Sequence, residues 1–375
     1  MFTIKKLKII KPSKYRITKF DSYLAIDSNN VYFYAANGIV KISINEKHNI
    51  SSYHLFGDDF ELFAQKPLII DNHFYQYGTF QKESCIVKTD LNLNIIWRKY
   101  ISDSIYYRQL VSETGKLYFS TSIDYNDVGK FRILGTDGNI ILEYIENEGY
   151  INIEKGCDLL DDRVLIPVIN RAQIIAYKII DCNGNVLNTI TTEPKDLDCF
   201  RENMVSILKD ENRNVLIIAR HPAKAPEFIP SVTCIVLSPY GDFLYREDKD
   251  MPLSPVILFI GGQNVICCFD KNILKDEGQL IELNLKTNKE RSLIPIICYN
   301  ENIKCILYKD FYFVFAHIDK LSLNTNILIF DKNFNLECKY SLNTDEFIMD
   351  VKIVNDYIFV LTTESLKIFN LEEMI

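Results

Sequence analysis

The chain has 375 residues, 47% of them hydrophobic and 25% charged, with a formal net charge of −8. That balance supports a sizeable buried core, excludes a disordered chain and argues against a nucleic-acid backbone as partner. Phe (23) and Tyr (22) are abundant and Gly (14) is scarce, a bias that suits strands more than helices.

The N-terminal segment MFTIKKLKII alternates and is basic throughout. Lys5, Lys6, Lys8, Lys11, Lys14, Arg16 and Lys19 read as the solvated face of an outer edge strand, where lysines discourage edge-to-edge pairing. The segment lacks the continuous apolar stretch and small-residue cleavage site of a secretory leader. The longest apolar run, near Val256–Ile260, is too short to span a bilayer. The expectation is a cytoplasmic protein with no membrane partner.

From there one unit recurs. Strongly apolar strands begin near Val31, Phe74, Leu117, Val164, Val215, Val265, Tyr312 and Ile358, at a spacing of roughly 43 to 51 residues, the period of a propeller blade. An inner strand precedes each, as in PLIID, MVSILKD, IKCILYK and MDVKIVN. A third strand and a polar outer fourth strand follow. Between the last two stand polar turns such as TDLNLNIIW, GTDGNIILEY, DCNGNVL, SPYGDFLY and FDKNFNLECKY, with the Asn and Gly residues that tight hairpins favour. The last unit, from Met349, has three strands only, and FTIKKLKII is spare at the other end. The expected fold is therefore all-β, a propeller of about eight four-stranded blades, with seven as the alternative. It is expected to form one domain over 1–375, residues 2–10 pairing with the last blade at 348–375.

The turn grammar, clearest in TDLNLNIIW with its Trp97, resembles the quinoprotein-like (PQQ-like) repeats of bacterial propellers and the related repeats of aryl-sulfotransferase propellers. The resemblance implies architecture. Quinoprotein dehydrogenases carry a tryptophan in most blades, whereas Trp97 is the sole one here, and neither their quinone-binding residues nor the sulfotransferase histidine can be matched to positions in this chain.

Motifs for phosphate loops, nucleophile elbows, zinc or Ca²⁺ loops are lacking, so no cofactor and no metal is expected. Ten cysteines without a C-x-x-C pair read as reduced thiols, several as small core hydrophobes. Candidate residues come from topology instead. Hairpins between second and third strands and the blade-to-blade connections share one end of a propeller. There the sequence places Asp124 in blade 3, Arg171 in blade 4, Arg220 and His221 in the proline-rich ARHPAKAPEFIPS of blade 5, Asp270 in blade 6, and His317 and Asp319 in blade 7, with Tyr107 and Arg108 in a connection. Arg and Tyr anchor many binding surfaces. The first reading is capture of a peptide, protein segment or small polar ligand. The alternatives are an enzyme in the same depression, with His221 or His317 as general acid or base and Arg220 as anion anchor, and a structural interaction scaffold. Oligomeric state is not set by the sequence.

Overall fold

The computed structural model describes residues 2–10, 24–27, 29–35, 38–44, 50–55, 60–62, 68–92, 94–101, 106–111, 116–122, 128–171, 173–191, 205–224, 229–250, 253–261, 263–272, 277–287, 289–297, 303–317, 325–342, 346, 348–363 and 365–373. Among these the one helical element is a 3-10 turn at Ile153–Lys155. The strands form eight antiparallel sheets, six of four strands and two of five, and the chain is an eight-bladed β-propeller. In chain order the blades span Leu24–Leu55, Phe60–Tyr100, Tyr106–Glu146, Tyr150–Thr191, Val205–Asp250, Leu253–Ile297, Lys304–Ser341, and Ile348–Glu373 joined by Phe2–Ile10. Two compact units divide them: residues 1–102, 274–278 and 295–375 form one, and residues 103–273 with 279–294 the other.

The apolar runs are continuous because each central strand is buried on both faces. In the second strand of blade 8 (Tyr357–Thr362), Ile358 and Val360 pack with Phe313, Phe315, Ile327 and Ile329 of blade 7. Their neighbours Phe359 and Leu361 point the other way, onto Leu24, Val31, Phe33 and Val40 of blade 1. The second unit repeats this: Val215 and Ile217 join the core shared with blade 4, and Leu216 and Ile218 the core shared with blade 6. A period of two with both phases apolar is what such strands require.

The N-terminal strand closes the last blade. Phe2–Ile10 runs antiparallel to Leu366–Glu373, from Phe2 opposite Glu373 to Ile10 opposite Leu366. Ile4 is buried with Phe369 and Leu371. The next blade is tied on by the Leu24 N–H, which donates to Asp350 Oδ2 at 2.8 Å.

The Asp-x-Asn-x-Asn turns are self-sufficient. Oδ1 of Asp90, Asp181 and Asp331 accepts the backbone N–H groups two and four residues on, and Oδ2 accepts the amide of Asn94, Asn185 or Asn335, all at 2.8–2.9 Å. In blade 5 Ser238 replaces the aspartate and accepts the Asp242 N–H at 3.0 Å. Gly241 in that turn has φ +90°, and an added Cβ would stand 2.5 Å from Ile179 Cδ1, so the turn seats on blade 4 only as glycine.

Three expectations are corrected. The proline-rich segment of blade 5 is mostly strand: Val215–Lys224 pairs with Ile229–Leu237, and the register shifts between His221 and Lys224, where Pro222 falls. Proline lacks the ladder donor and is tolerated in a sheet at such an irregularity. Tyr106–Val111 is the first strand of blade 3 and not a connection. The outer strands are not uniformly polar, since they begin with exposed apolar pairs, Ile140–Ile141, Val186–Leu187 and Phe243–Leu244. First strands in blades 2 and 4 are also split, into Phe60–Leu62 with Leu68–Ile70 and Tyr150–Ile151 with Cys157–Asp158.

Candidate functional site

At the end of the blades that carries the second-to-third hairpins, strand ends and tight turns hold most of the expected residues. Arg220 pairs within its ladder opposite Val232 and is half-buried; His221 follows opposite Ser231, and the ladder ends at Lys224 opposite Ile229. Tyr107 and Arg108 lie opposite Thr121 and Ser120 in the first strand of blade 3. Asp270 lies in the strand Asn264–Asn272, and His317 ends its strand opposite Thr325. Asp124 and Asp319 lie outside the described residues. His221 and His317 belong to different compact units. Arg171 occupies the hairpin of blade 4 with φ 48°, and its side chain is exposed. A non-glycine residue in the left-handed region is uncommon, and here it turns the chain between Asn170 and Gln173, which pair across the hairpin.

A charge network that sequence reasoning missed lies where blade 3 passes to blade 4. Glu146 is 2% exposed. Its carboxylate accepts Lys178 Nζ at 2.7 Å, the Tyr144 hydroxyl at 2.8 Å and the Glu148 N–H at 3.1 Å. Asn170 Nδ2 donates to the Glu148 carbonyl at 3.3 Å, linking this network to the residue before Arg171. The only signal in the sequence was ENEGY: Gly149 is required because a Cβ there would collide with the Ile169 carbonyl. Burial raises the Glu146 carboxyl, but the bonds from Lys178, Glu148 and Tyr144 outweigh it and hold it below the ordinary value. Burial lowers Lys178, and its bond to Glu146 outweighs that and raises it. Both charges are therefore fixed near neutral pH, and neither is poised for proton transfer, which works best with a pKa near the working pH. Arg171 is an exposed cation at this corner, and Glu148 an exposed anion.

The buried thiols are no more reactive. Burial pushes Cys85 up to about 11 and Cys305 up to about 12. Cys85, Cys157, Cys182, Cys234, Cys267, Cys305 and Cys338 form no disulfide, and of these Cys182 is exposed. Alkylation of the native protein is expected to label Cys182 well before Cys267, with no linked pair in the intact mass before reduction. A disulfide-bonded pair would contradict the reduced-thiol reading. Among the described residues no three His, Cys, Asp or Glu side chains gather as a metal-binding group.

No protein-family model and no curated protein sequence matches the chain. Solved structures do. The computationally designed Ika8 protein superposes with a TM-score of 0.61 at 11% identity, covering 98% of this chain and 99% of that one. BamB from Moraxella catarrhalis gives 0.57 at 10% identity, covering 98% and 100%. Virginiamycin B lyase from Staphylococcus aureus gives 0.50 at 13% identity over both full chains. The likeness is one of fold. It bears out the resemblance to quinoprotein-like bacterial propellers at that level, and fold alone does not carry an activity.

Proposed function

We propose that this propeller is a binding module that captures a carboxylate-bearing peptide or protein segment at the end holding the second-to-third hairpins. The observation that carries the reading is Arg171: an exposed guanidinium at a constrained hairpin position, beside a network whose other charges are paired. A guanidinium offers a fork of donors matched to a carboxylate, and arginine is enriched among binding hot spots. Arg220, half-buried within the second strand of the next blade, is a second anchor. Locked Glu146 and Lys178 favour binding over acid–base chemistry at this corner. A cytoplasmic setting and a peptide partner belong to the same proposal, and the free thiols support the former.

The test is fluorescence anisotropy with labelled peptides, one set ending in Asp-Glu clusters and one set amidated and neutral. The acidic set is expected to bind, and Arg171→Ala to weaken it about tenfold, roughly 1.4 kcal/mol. Arg171→Ala should leave the melting temperature within about a degree, because an exposed side chain away from special contacts contributes little to stability. Asn139→Ala, in a turn at the opposite end of blade 3, should bind as the parent does. Equal binding by the parent, Arg171→Ala and Arg220→Ala would place recognition elsewhere.

A further inference from the structure

Buried polar atoms without partners are concentrated on one face of blade 2. Gln76, in the second strand (His73–Phe80), stands opposite Val87, and Val87 stands opposite Arg98 of the outer strand (Ile95–Tyr100). Residues paired in this way share a face of the sheet. Val87 packs with Phe74, Cys85, Tyr32 and Ile39, so this face is the one turned to blade 1. Thr89, two residues from Val87, lies on it too. Gln76 and Thr89 are fully buried. Both amide atoms of Gln76, the Thr89 hydroxyl and Arg98 Nε have no hydrogen-bond partner. A buried polar group left unpaired has lost its water without a replacement partner, so four such atoms on one face are a large standing cost. Thr121, Tyr245 and Thr325, which also carry unpaired buried oxygens, are spread one to a blade.

Arg98 sets the chemistry. Its guanidinium lies face-on to the Phe80 ring, 3.7 Å from the centroid, which fixes the plane of the fork. No carboxylate pairs with it among the described residues. A buried cation edge and a primary amide on one sheet face call for an acceptor with two oxygens in a plane. We propose that this face, between blades 1 and 2, binds a small carboxylate, its oxygens accepting from the Arg98 guanidinium and from Gln76 Nε2. The ligand enters as the anion and no bond to it is made or broken. This site is separate from Arg171 and stands or falls independently of the peptide reading.

The probe is sodium acetate in a thermal melt, compared with sodium chloride at equal ionic strength and with inorganic phosphate. Acetate is expected to raise the midpoint saturably by a few degrees, as a ligand of the folded state does. Arg98→Met should abolish the shift, and Gln76→Leu should raise the half-saturating concentration at least tenfold. Gln76→Glu supplies the carboxylate from within, so it should remove the acetate response while keeping a high midpoint. Arg171→Ala should leave the response unchanged. If Gln76→Leu fails to fold, Gln76→Met provides the same comparison. A parent protein indifferent to acetate, together with a more stable Gln76→Leu, would show a dry polar defect and overturn the proposal. A shift with phosphate but not acetate would overturn the carboxylate assignment.

Discussion

Removing residues 1–11 is expected to lower the melting temperature by about 6 °C and to make the protein prone to self-association. The deleted strand supplies the outer ladder of blade 8, from Phe2 opposite Glu373 to Ile10 opposite Leu366, and buries Ile4 against Phe369 and Leu371. Burial of one aliphatic side chain contributes about 1.5–3 kcal/mol, and a set of cross-strand bonds adds a comparable amount, so the loss is on the order of 5 kcal/mol. Spread over the unfolding entropy of a chain this long, that corresponds to the stated shift. The bared edge Leu366–Glu373 would offer unpaired backbone groups to another chain. The measurement is calorimetry with light scattering on the truncated protein. An unchanged cooperative transition would show that blade 8 does not depend on this strand.

Glu346→Ala is expected to cost about 3–5 kcal/mol, because it removes the carboxylate that faces a buried cation. Lys367 Nζ lies 3.0 Å from Glu346 Oε1, with side chains only 5% and 13% exposed. Ser365 Oγ donates to Oε2 at 2.8 Å, and the Thr362 hydroxyl donates to the same oxygen. Burial raises the Glu346 carboxyl, and the bonds from Thr362, Lys367 and Ser365 outweigh it and lower its pKa. A carboxyl depressed in the folded state stabilises in full above its unfolded value, about 4.3, and loses that contribution as pH falls through the lower folded value. Glu146 and Asp27 are depressed as well, so the three act in the same direction. Unfolding midpoints measured from about pH 6 to pH 3 should fall, and Glu346→Gln should flatten part of that slope. Glu346→Leu combined with Lys367→Met should recover much of the loss, since an apolar pair replaces a desolvated ionic one. A double variant no better than Glu346→Ala would mean that packing, not the cation that faced the carboxylate, sets the cost.

The architecture was legible in the chain because both phases of each central strand are apolar. Runs such as YIFVLT and VLIIAR stand out without any alignment, and the Asp-x-Asn-x-Asn turns mark the hairpin that follows. Strand ends were harder to read. Pro222 and Pro230 looked like loop residues, yet a bulge accommodates the first and the partner strand Ile229–Leu237 includes the second. Tyr107 and Arg108 read as connection residues from topology alone, although the aromatic composition around them favours a strand. The split first strands of blades 2 and 4 left no compositional trace. The charge network at Glu146 escaped notice because Lys178, from the next blade, meets Glu146 and its sequence neighbours Tyr144 and Glu148 only once the two blades pack together. Gln76 and Arg98 were equally hidden, being 22 residues apart in the chain and brought into one row by pairing through Val87.

The seam in blade 8 also has a mechanical meaning. Phe2 stands opposite Glu373, so the two ends of this strand pair emerge side by side. Tension applied between those residues pulls across the ladder and not along it. Antiparallel bonds lie perpendicular to the strands, so such a load falls on one bond pair at a time, and the seam peels like a zipper. Fixing the molecule at Phe2 and Leu366, opposite ends of the two strands, would instead slide one strand along the other and load the whole row together. One pair of strands thus yields at low force in one direction and resists in the other.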